Sequence, residues 1–305
     1  MEVEVKDSMG SRLKALPLHV MLLPGVILTL VFSYIPIMGI VIAFQKFVPS
    51  KGMFHSKWIG LDNFRYMLDM PNFTSVLWNT LFIAILKIAA GLIIPVIFAL
   101  LLNEVAGAWF KRTIQTTIYF PYFLSWVILG GILIDILSPS SGIVNQFLGW
   151  FGVKPIFFLG NEKWFPYTLV LTDTWKGFGY GTIVYLAALT GIDQSLYEAA
   201  TVDGANRWKQ MLNVTLPGML PIITLMTVLS LGNVLNAGFE QVFNLYSPMV
   251  YSTGDIIDTF VYRLGLVEAQ YGVATAVGLF KSVISLILIV ISNKLANRYA
   301  GYRIF

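Results

Sequence analysis

Of 305 residues, 57% are hydrophobic and only 12% charged, about half the ~25% charged share of a water-soluble domain. With a mean hydropathy of +0.75, that apolar excess is more than a core can absorb in water, and a bilayer is needed to take it up. The chain has no cysteine, which excludes a disulfide framework, a zinc-thiolate site and a cysteine nucleophile. Its net charge of +4 comes from dispersed Lys and Arg, so no basic face for nucleic acid is present.

The first apolar run covers 20–44 and follows Arg12, Lys14 and Pro17. It is too long for a signal-peptide core and lacks a small-x-small cleavage site, so it reads as a retained anchor. Leu61 to Leu68 then reads as a short interfacial helix with Asp62 as its N-cap. Further apolar runs occupy 75–102, 115–137, 166–190, 222–245 and 271–293. Each can cross a hydrocarbon core of ~30 Å at ~1.5 Å per residue. The expected fold is therefore all-α, with six transmembrane helices. A cytoplasmic N-terminal segment (1–19), one six-span transmembrane domain (20–293) and a cytoplasmic tail (294–305) are expected. Lys and Arg favour this orientation. Lys6, Arg12, Lys14, Lys111, Arg112, Arg207, Lys209, Lys294, Arg298 and Arg303 share the side of the termini, against Lys46, Lys51, Lys57, Arg65, Lys154, Lys163 and Arg263 opposite.

Charged and amide groups within the spans are costly and mark candidate pathways. In the second span this is Lys87, which could snorkel or pair with another subunit. In the fourth, Asp173 and Lys176 are spaced to neutralise each other. Trp175, Tyr180 and Tyr185 offer aromatic faces on which a substrate could stack, with Gly177, Gly179 and Gly181 making room. Asn233, Asn236, Glu240 and Gln241 fall mostly on one face of the fifth span, and Gly232 and Gly238 allow local unwinding. These groups either line a path for a hydroxyl-rich substrate or bond across helices to hold a dimer. Lys281, in the middle of the last span, could meet Glu240 or, if the substrate is acidic, its carboxylate.

The segment 191–221 between the fourth and fifth spans differs in kind. Asp193 is a candidate N-cap, Asp203-Gly204 a helix breaker, and a second short helix is expected from Ala205 to Val214, with Pro217 ahead of the next span. An ordinary connecting loop would show such features too. Catalytic machinery is missing: there is no Gly-x-x-x-x-Gly-Lys-Ser/Thr phosphate loop and no His-Glu-x-x-His. His19 and His55 fall on opposite membrane sides in this topology.

The order Glu198-Ala199-Ala200, Gly204, then Val214-Thr215-Leu216-Pro217 resembles the coupling loop of ATP-binding-cassette (ABC) importer permeases, with Val214 where Ile is more usual. The stretches Gly238 to Phe243, Pro248 to Tyr251, Ile257 to Arg263 and Ala276 to Ser282 look like the polysaccharide-permease branch of the sugar importers, which is related to the large maltose-transporter permease. The Gly-Gly-Pro outer-loop motif of other sugar permeases is absent. The resemblance implies a non-enzymatic subunit that passes an oligosaccharide or polysaccharide fragment through a bacterial plasma membrane. It also implies that Glu198, Ala199, Ala200, Asp203, Gly204, Ala205 and Pro217 meet an ATPase. The implied partners are a second permease subunit, two copies of a cytoplasmic ABC ATPase that bind ATP and magnesium, an extracellular substrate-binding protein, the glycan and membrane lipid. This chain itself would hold no cofactor or metal. An ion-coupled secondary transporter or channel is the alternative, and it would work without an ATPase.

Overall fold

The computed structural model describes residues 9–300, with side chains from 17 to 294. Most of the predicted terminal segments 1–19 and 294–305 therefore lie outside the described side chains. Helix α1 (Met9–Thr29) continues through a π turn (Leu30–Tyr34) and a 3₁₀ stretch (Ile35–Phe44). Pro36 withholds the N–H that an α-helix would use there. Only the Ile35–Phe44 end packs closely, on α15, and the most apolar window of this first run is 6% buried.

A two-stranded ribbon, β1 (Gln45–Lys46) and β2 (Lys57–Trp58), pairs Gln45 with Trp58 around α2 (Gly52–His55). Helix α3 (Asp62–Asp69) is the predicted interfacial helix. Asp62 lies in its first turn rather than at the cap, which is Leu61 and makes no side-chain capping bond. Asn63 anchors the helix by donating to the carbonyls of Ala43 (2.8 Å) and Gln45 (3.0 Å).

Helix α4 (Phe73–Glu104) is followed by α5 (Ala108–Tyr119) and α6 (Trp126–Ile136). The predicted third span is bent by 104° between these two. Pro121 opens the bend, and Ser125 starts α6 by accepting from the Ile128 N–H at 3.3 Å. Then come α7 (Ile143–Gly149), α8 (Phe165–Thr190), α9 (Gln194–Val202) and α10 (Arg207–Gln210). A π turn (Met211–Thr215) joins α10 to α11 (Leu216–Gly232), and α12 (Phe239–Leu245), α13 (Tyr251–Gly254), α14 (Ile257–Tyr262) and α15 (Tyr271–Ala300) complete the chain.

Among the described residues four helices are long and apolar enough to cross a membrane: Pro17–Phe44, Phe73–Glu104, Arg207–Gly232 and Tyr271–Lys294. The α5–α6 pair is long and apolar enough when taken together, and counts as a fifth if the bent pair is one span. The predicted fourth span is helical throughout as α8 but is not among them, because Asp173, Lys176 and a row of Thr and Gly dilute its apolar character.

The helices meet mainly through α4 against α8, α11 against α15 and α12 against α6. A large apolar cluster around Ile83, Leu169, Leu235, Ile257 and Val277 holds one part of the bundle, and a smaller one of Ala99, Tyr185, Leu189 and Met219 holds the part next to the segment 191–221.

Candidate functional site

The predicted fifth span is not one helix. Helix α11 stops at Gly232, the chain turns through Asn233–Gly238, and α12 restarts at Phe239. Gly238 sits at φ +93°, a conformation that glycine takes without steric cost. Unwound backbone at membrane depth survives only where its polar groups are satisfied by protein or face a cavity. Both conditions are met here.

Lys87, reaching across from α4, donates to the Ala237 carbonyl at 2.7 Å and to Gln241 Oε1, and lies 3.5 Å from Asp173 Oδ1. These three acceptors match the three N–H donors of an ammonium group. Gln241 is fully buried and donates in turn to the Leu169 carbonyl (2.8 Å) and Thr172 Oγ1 (2.7 Å) on α8. The network thus ties α4, α8 and the start of α12 to the break.

The pairings differ from those expected. Asp173 faces Lys87, while Lys176 turns away to the Tyr122 carbonyl at 2.8 Å and sits over the Tyr122 and Trp126 rings. Residues three apart on one helix can meet, but each here has a partner on a neighbouring helix. Lys281 contacts Asp258 Oδ1 (2.5 Å) and Asn236 Oδ1 (3.0 Å), not Glu240. The single polar face expected for the fifth span does not form, because the break redirects its side chains.

Two cavities open beside the broken segment. One, of about 450 Å³, is lined by Lys87, Asp173, Ser230, Asn233 and Asn236. The other, of about 510 Å³, is lined by Phe239, Asp258, Tyr262 and again Asn236. Gly238 borders both. Of the residues expected on the pathway, Asn233 and Asn236 line this space, and Lys281 reaches it through Asp258. Gln241 is buried in the network behind it, and Glu240 is exposed on α12 without lining either cavity. The α8 aromatics lie elsewhere. Trp175 and Tyr180 are exposed, Tyr180 stacking on Tyr122 with centroids 4.1 Å apart, and Tyr185 is buried in the smaller apolar cluster. Asp258, which lines the second cavity and pairs with Lys281, is a candidate residue that sequence reasoning passed over. It stands 23 positions from its lysine, so no local spacing announces the pair.

The second candidate site is the segment 191–221. Asp193 caps α9 by accepting from the Ser195 N–H at 2.9 Å, as its position predicts. The helix ends with Gly204 at φ +73°, where Ala205 N–H bonds the Ala200 carbonyl (2.9 Å) and Gly204 N–H bonds that of Thr201 (3.0 Å). That pair of bonds is a Schellman motif. Asn206 then caps α10 through the Lys209 N–H at 2.9 Å.

The second helix does not stop before Pro217. Helix continues from Arg207 to Gly232 because the π turn, with Leu216 N–H bonding the Met211 carbonyl, re-registers the chain just ahead of a proline that has no N–H to give. Tyr197 meets Thr215 (3.0 Å), Gln210 donates to Thr201 (3.0 Å), and Arg207 pairs with Glu104 at the end of α4 (2.9 Å). A cavity of about 810 Å³ lies between these elements. Glu198 and Ala199 are exposed, and so are Leu196, Val202 and Trp208, an apolar display on a polar segment.

The hydrogen bond from the Ser195 backbone holds the Asp193 carboxyl below its ordinary value. Its contribution to α9 is therefore present above the unfolded-state pKa and is lost as pH falls through the folded one. Protection of the Gln194–Val202 amides, taken as the intrinsic exchange rate divided by the observed rate at each pH, is expected to fall on acidification through that range. Asp193→Ala should show low protection at neutral pH with no further acid response; a pH response of protection retained in the variant would assign the effect to another group.

The chain was compared with known proteins. Residues 91–301 match the family described as binding-protein-dependent transport system inner membrane component. The chain is 42% identical over 288 residues to the polygalacturonan/rhamnogalacturonan transport system permease protein YteP of Bacillus subtilis (strain 168), covering 94% of this chain and 90% of that protein. It is 41% identical over 282 residues to protein LplB of the same organism, covering 92% and 89%. Among solved structures, a bacterial ABC transporter involved in the import of the acidic polysaccharide alginate superposes with a TM-score of 0.86 at 38% identity, covering 94% of this chain and 96% of that one. A bacterial alginate ABC transporter in complex with an alginate pentasaccharide-bound periplasmic protein gives 0.87 at 37%, covering 95% and 97%.

Proposed function

The chain belongs to the family of binding-protein-dependent transport system inner membrane components, and on that premise we propose that it is the permease subunit of an ABC importer for an oligosaccharide or polysaccharide fragment. It is a multi-pass membrane protein, and ATP hydrolysis belongs to a separate subunit. The observation that carries the proposal is the geometry of 191–221. A capped helix and a glycine turn display apolar side chains to water, yet are tied to the spans through Glu104–Arg207 and Tyr197–Thr215. A partner that moves the display moves the spans.

In this reading Glu198, Ala199, Ala200, Asp203, Gly204 and Ala205 form the surface that two ABC ATPase copies reach, this chain docking one of them. Pro217 marks where the moving loop enters the fifth span. The ATPases bind the ATP and magnesium. In the same reading the spans number six, with the polar α8 as the fourth, so both termini share one side, and the Lys and Arg bias makes that side the cytoplasm of a bacterial cell. A second permease subunit covers apolar surface that lipid otherwise meets, the first run above all. An extracellular binding protein delivers the glycan to the cavities beside Asn233–Gly238. The similarity to a polygalacturonan/rhamnogalacturonan permease protein and to an alginate transporter supports a glycan rather than an ion or amino acid. Trp175, Tyr180, Tyr185 and Glu240 take part only in a conformation that turns them toward that path.

Gly204→Trp tests the coupling surface. A Cβ at Gly204 meets no atom within 4 Å, so φ +73° and the bulk displayed to a partner carry the effect. On affinity purification from native membranes, the variant is expected to retain the second permease and lose the ATPase. Retention of both, with normal ATP-driven uptake, would remove the loop from the coupling mechanism.

A further inference from the structure

Two lysines flank the broken segment, and they differ in one respect. Lys87 is buried, and all three of its donors have protein acceptors. Lys281 has two acceptors among the described residues, Asn236 Oδ1 and Asp258 Oδ1, and its pair with Asp258 stays partly open, with side chains 17% and 24% exposed. An ammonium group carries three donors, so one N–H of Lys281 is unassigned. The Asn236 amide N–H₂ and Asp258 Oδ2 likewise have no hydrogen-bond partner among the described residues. Asn236 and Asp258 both line the 510 Å³ cavity, whose other wall is Phe239 and Tyr262, two aromatic rings with centroids 5.8 Å apart.

We propose that Lys281 and Asn236 form a binding site for the carboxylate of an acidic sugar residue, and that Asp258 occupies this site until substrate replaces it. The inference rests on the glycan reading above and adds the charge class. A cation within a span is stabilised by a polar or anionic partner whether or not substrate is present. Asp258 supplies that partner from α14, a separate element from the α15 that carries Lys281. Exchange of one carboxylate for another leaves the charge balance of the cavity unchanged. A uronate there takes the free Lys281 N–H and the Asn236 amide, while its ring face meets Phe239 or Tyr262. A neutral sugar offers no anion to displace Asp258. Lys87 cannot do the same without releasing the Ala237 carbonyl and with it the break.

The test uses the complete importer, with its partner subunits and binding protein, in proteoliposomes. The probes are trigalacturonate and its methyl ester, in which each carboxylate is replaced by a neutral ester one methyl group larger. The preference of the binding protein is common to every permease variant and cancels in the comparison. Lys281→Gln is expected to lower uptake of the acid relative to the ester by about ten-fold or more, the size of a lost charge-assisted hydrogen bond. Asp258→Asn should lower the half-saturating concentration of the acid and leave the ester unchanged. Asn236→Asp, at an exposed position, should depress the acid alone, and it decides the matter if Lys281→Gln fails to assemble. An acid-to-ester ratio unchanged in Lys281→Gln or in Asn236→Asp overturns the carboxylate site while leaving the glycan path standing. A wild-type importer that takes up neither probe overturns the glycan reading and this inference together.

Discussion

Lys87→Ala is expected to abolish a stable permease subunit, with a loss of about 3–5 kcal/mol, the range seen when one partner of a buried charge network is removed. The size follows from what the ammonium group holds. The Ala237 carbonyl belongs to backbone that has left its helix, and Lys87 is its donor at 2.7 Å. Gln241 Oε1 loses its donor as well, while its amide still binds Leu169 and Thr172. Asp173 is 38% exposed and can turn to water, so its share is small. Lys87→Met keeps most of the volume and removes the charge, and it should be nearly as damaging as Lys87→Ala. Lys87→Met combined with Asp173→Asn should recover little, because the orphaned carbonyl and amide oxygen are what cost most. Size-exclusion profiles and thermal unfolding of the detergent-purified complex measure this. A Lys87→Ala complex that elutes intact and melts like wild type would show that the break holds its shape without the lysine.

That network also marks how far the sequence could be read. The apolar runs are long and nearly uniform, so the all-α membrane fold followed from hydropathy alone. The loop at 191–221 was legible because its cues are local: Asp193 lies two residues from the N–H it accepts, and Gly204 lies at the end of the helix it closes. Pairings between spans carry no such cue. Asp173 with Lys176 fits helix spacing, yet the real partners come from α4 and from the Tyr122 carbonyl. Gly232 and Gly238 hinted at unwinding, but which side chains would then face one another depended on where Lys87 reaches. The π turn before Pro217 was invisible for a related reason. A proline in sequence signals an interruption, and a single re-registered turn lets the helix pass through it.

The glycines of α8 show the same limit and yield the second large prediction. Their spacing suggests a row of small residues making room for a substrate. Instead, a Cβ at Gly179 would fall 2.0 Å from the Ile118 carbonyl oxygen and 2.6 Å from its carbon. These are backbone atoms of α5, which cannot swing aside as a side-chain tip can. At Gly181 the neighbour is the Pro95 ring at 3.1 Å, and at Gly177 nothing lies within 4 Å. Gly179→Ala must therefore push α5 off α8, at a cost of about 1–3 kcal/mol or more where backbone has to move. Gly177→Ala adds the same methyl to the same helix two residues away and should be neutral or stabilising by up to ~1 kcal/mol through helix propensity. The displacement carries further than the clash. The Lys176 bond to the Tyr122 carbonyl and the Tyr122–Tyr180 stack both fix the bend between α5 and α6 within a turn of Gly179. Trp126, at the start of α6 and beneath the Lys176 ammonium, reports on that bend. Unfolding temperature should fall for Gly179→Ala alone, and in a background where Trp126 is the remaining tryptophan its emission should shift with it. Equal behaviour of the two alanine variants would mean that α5 yields freely, and the close approach at Gly179 would then have no part in setting the 104° bend.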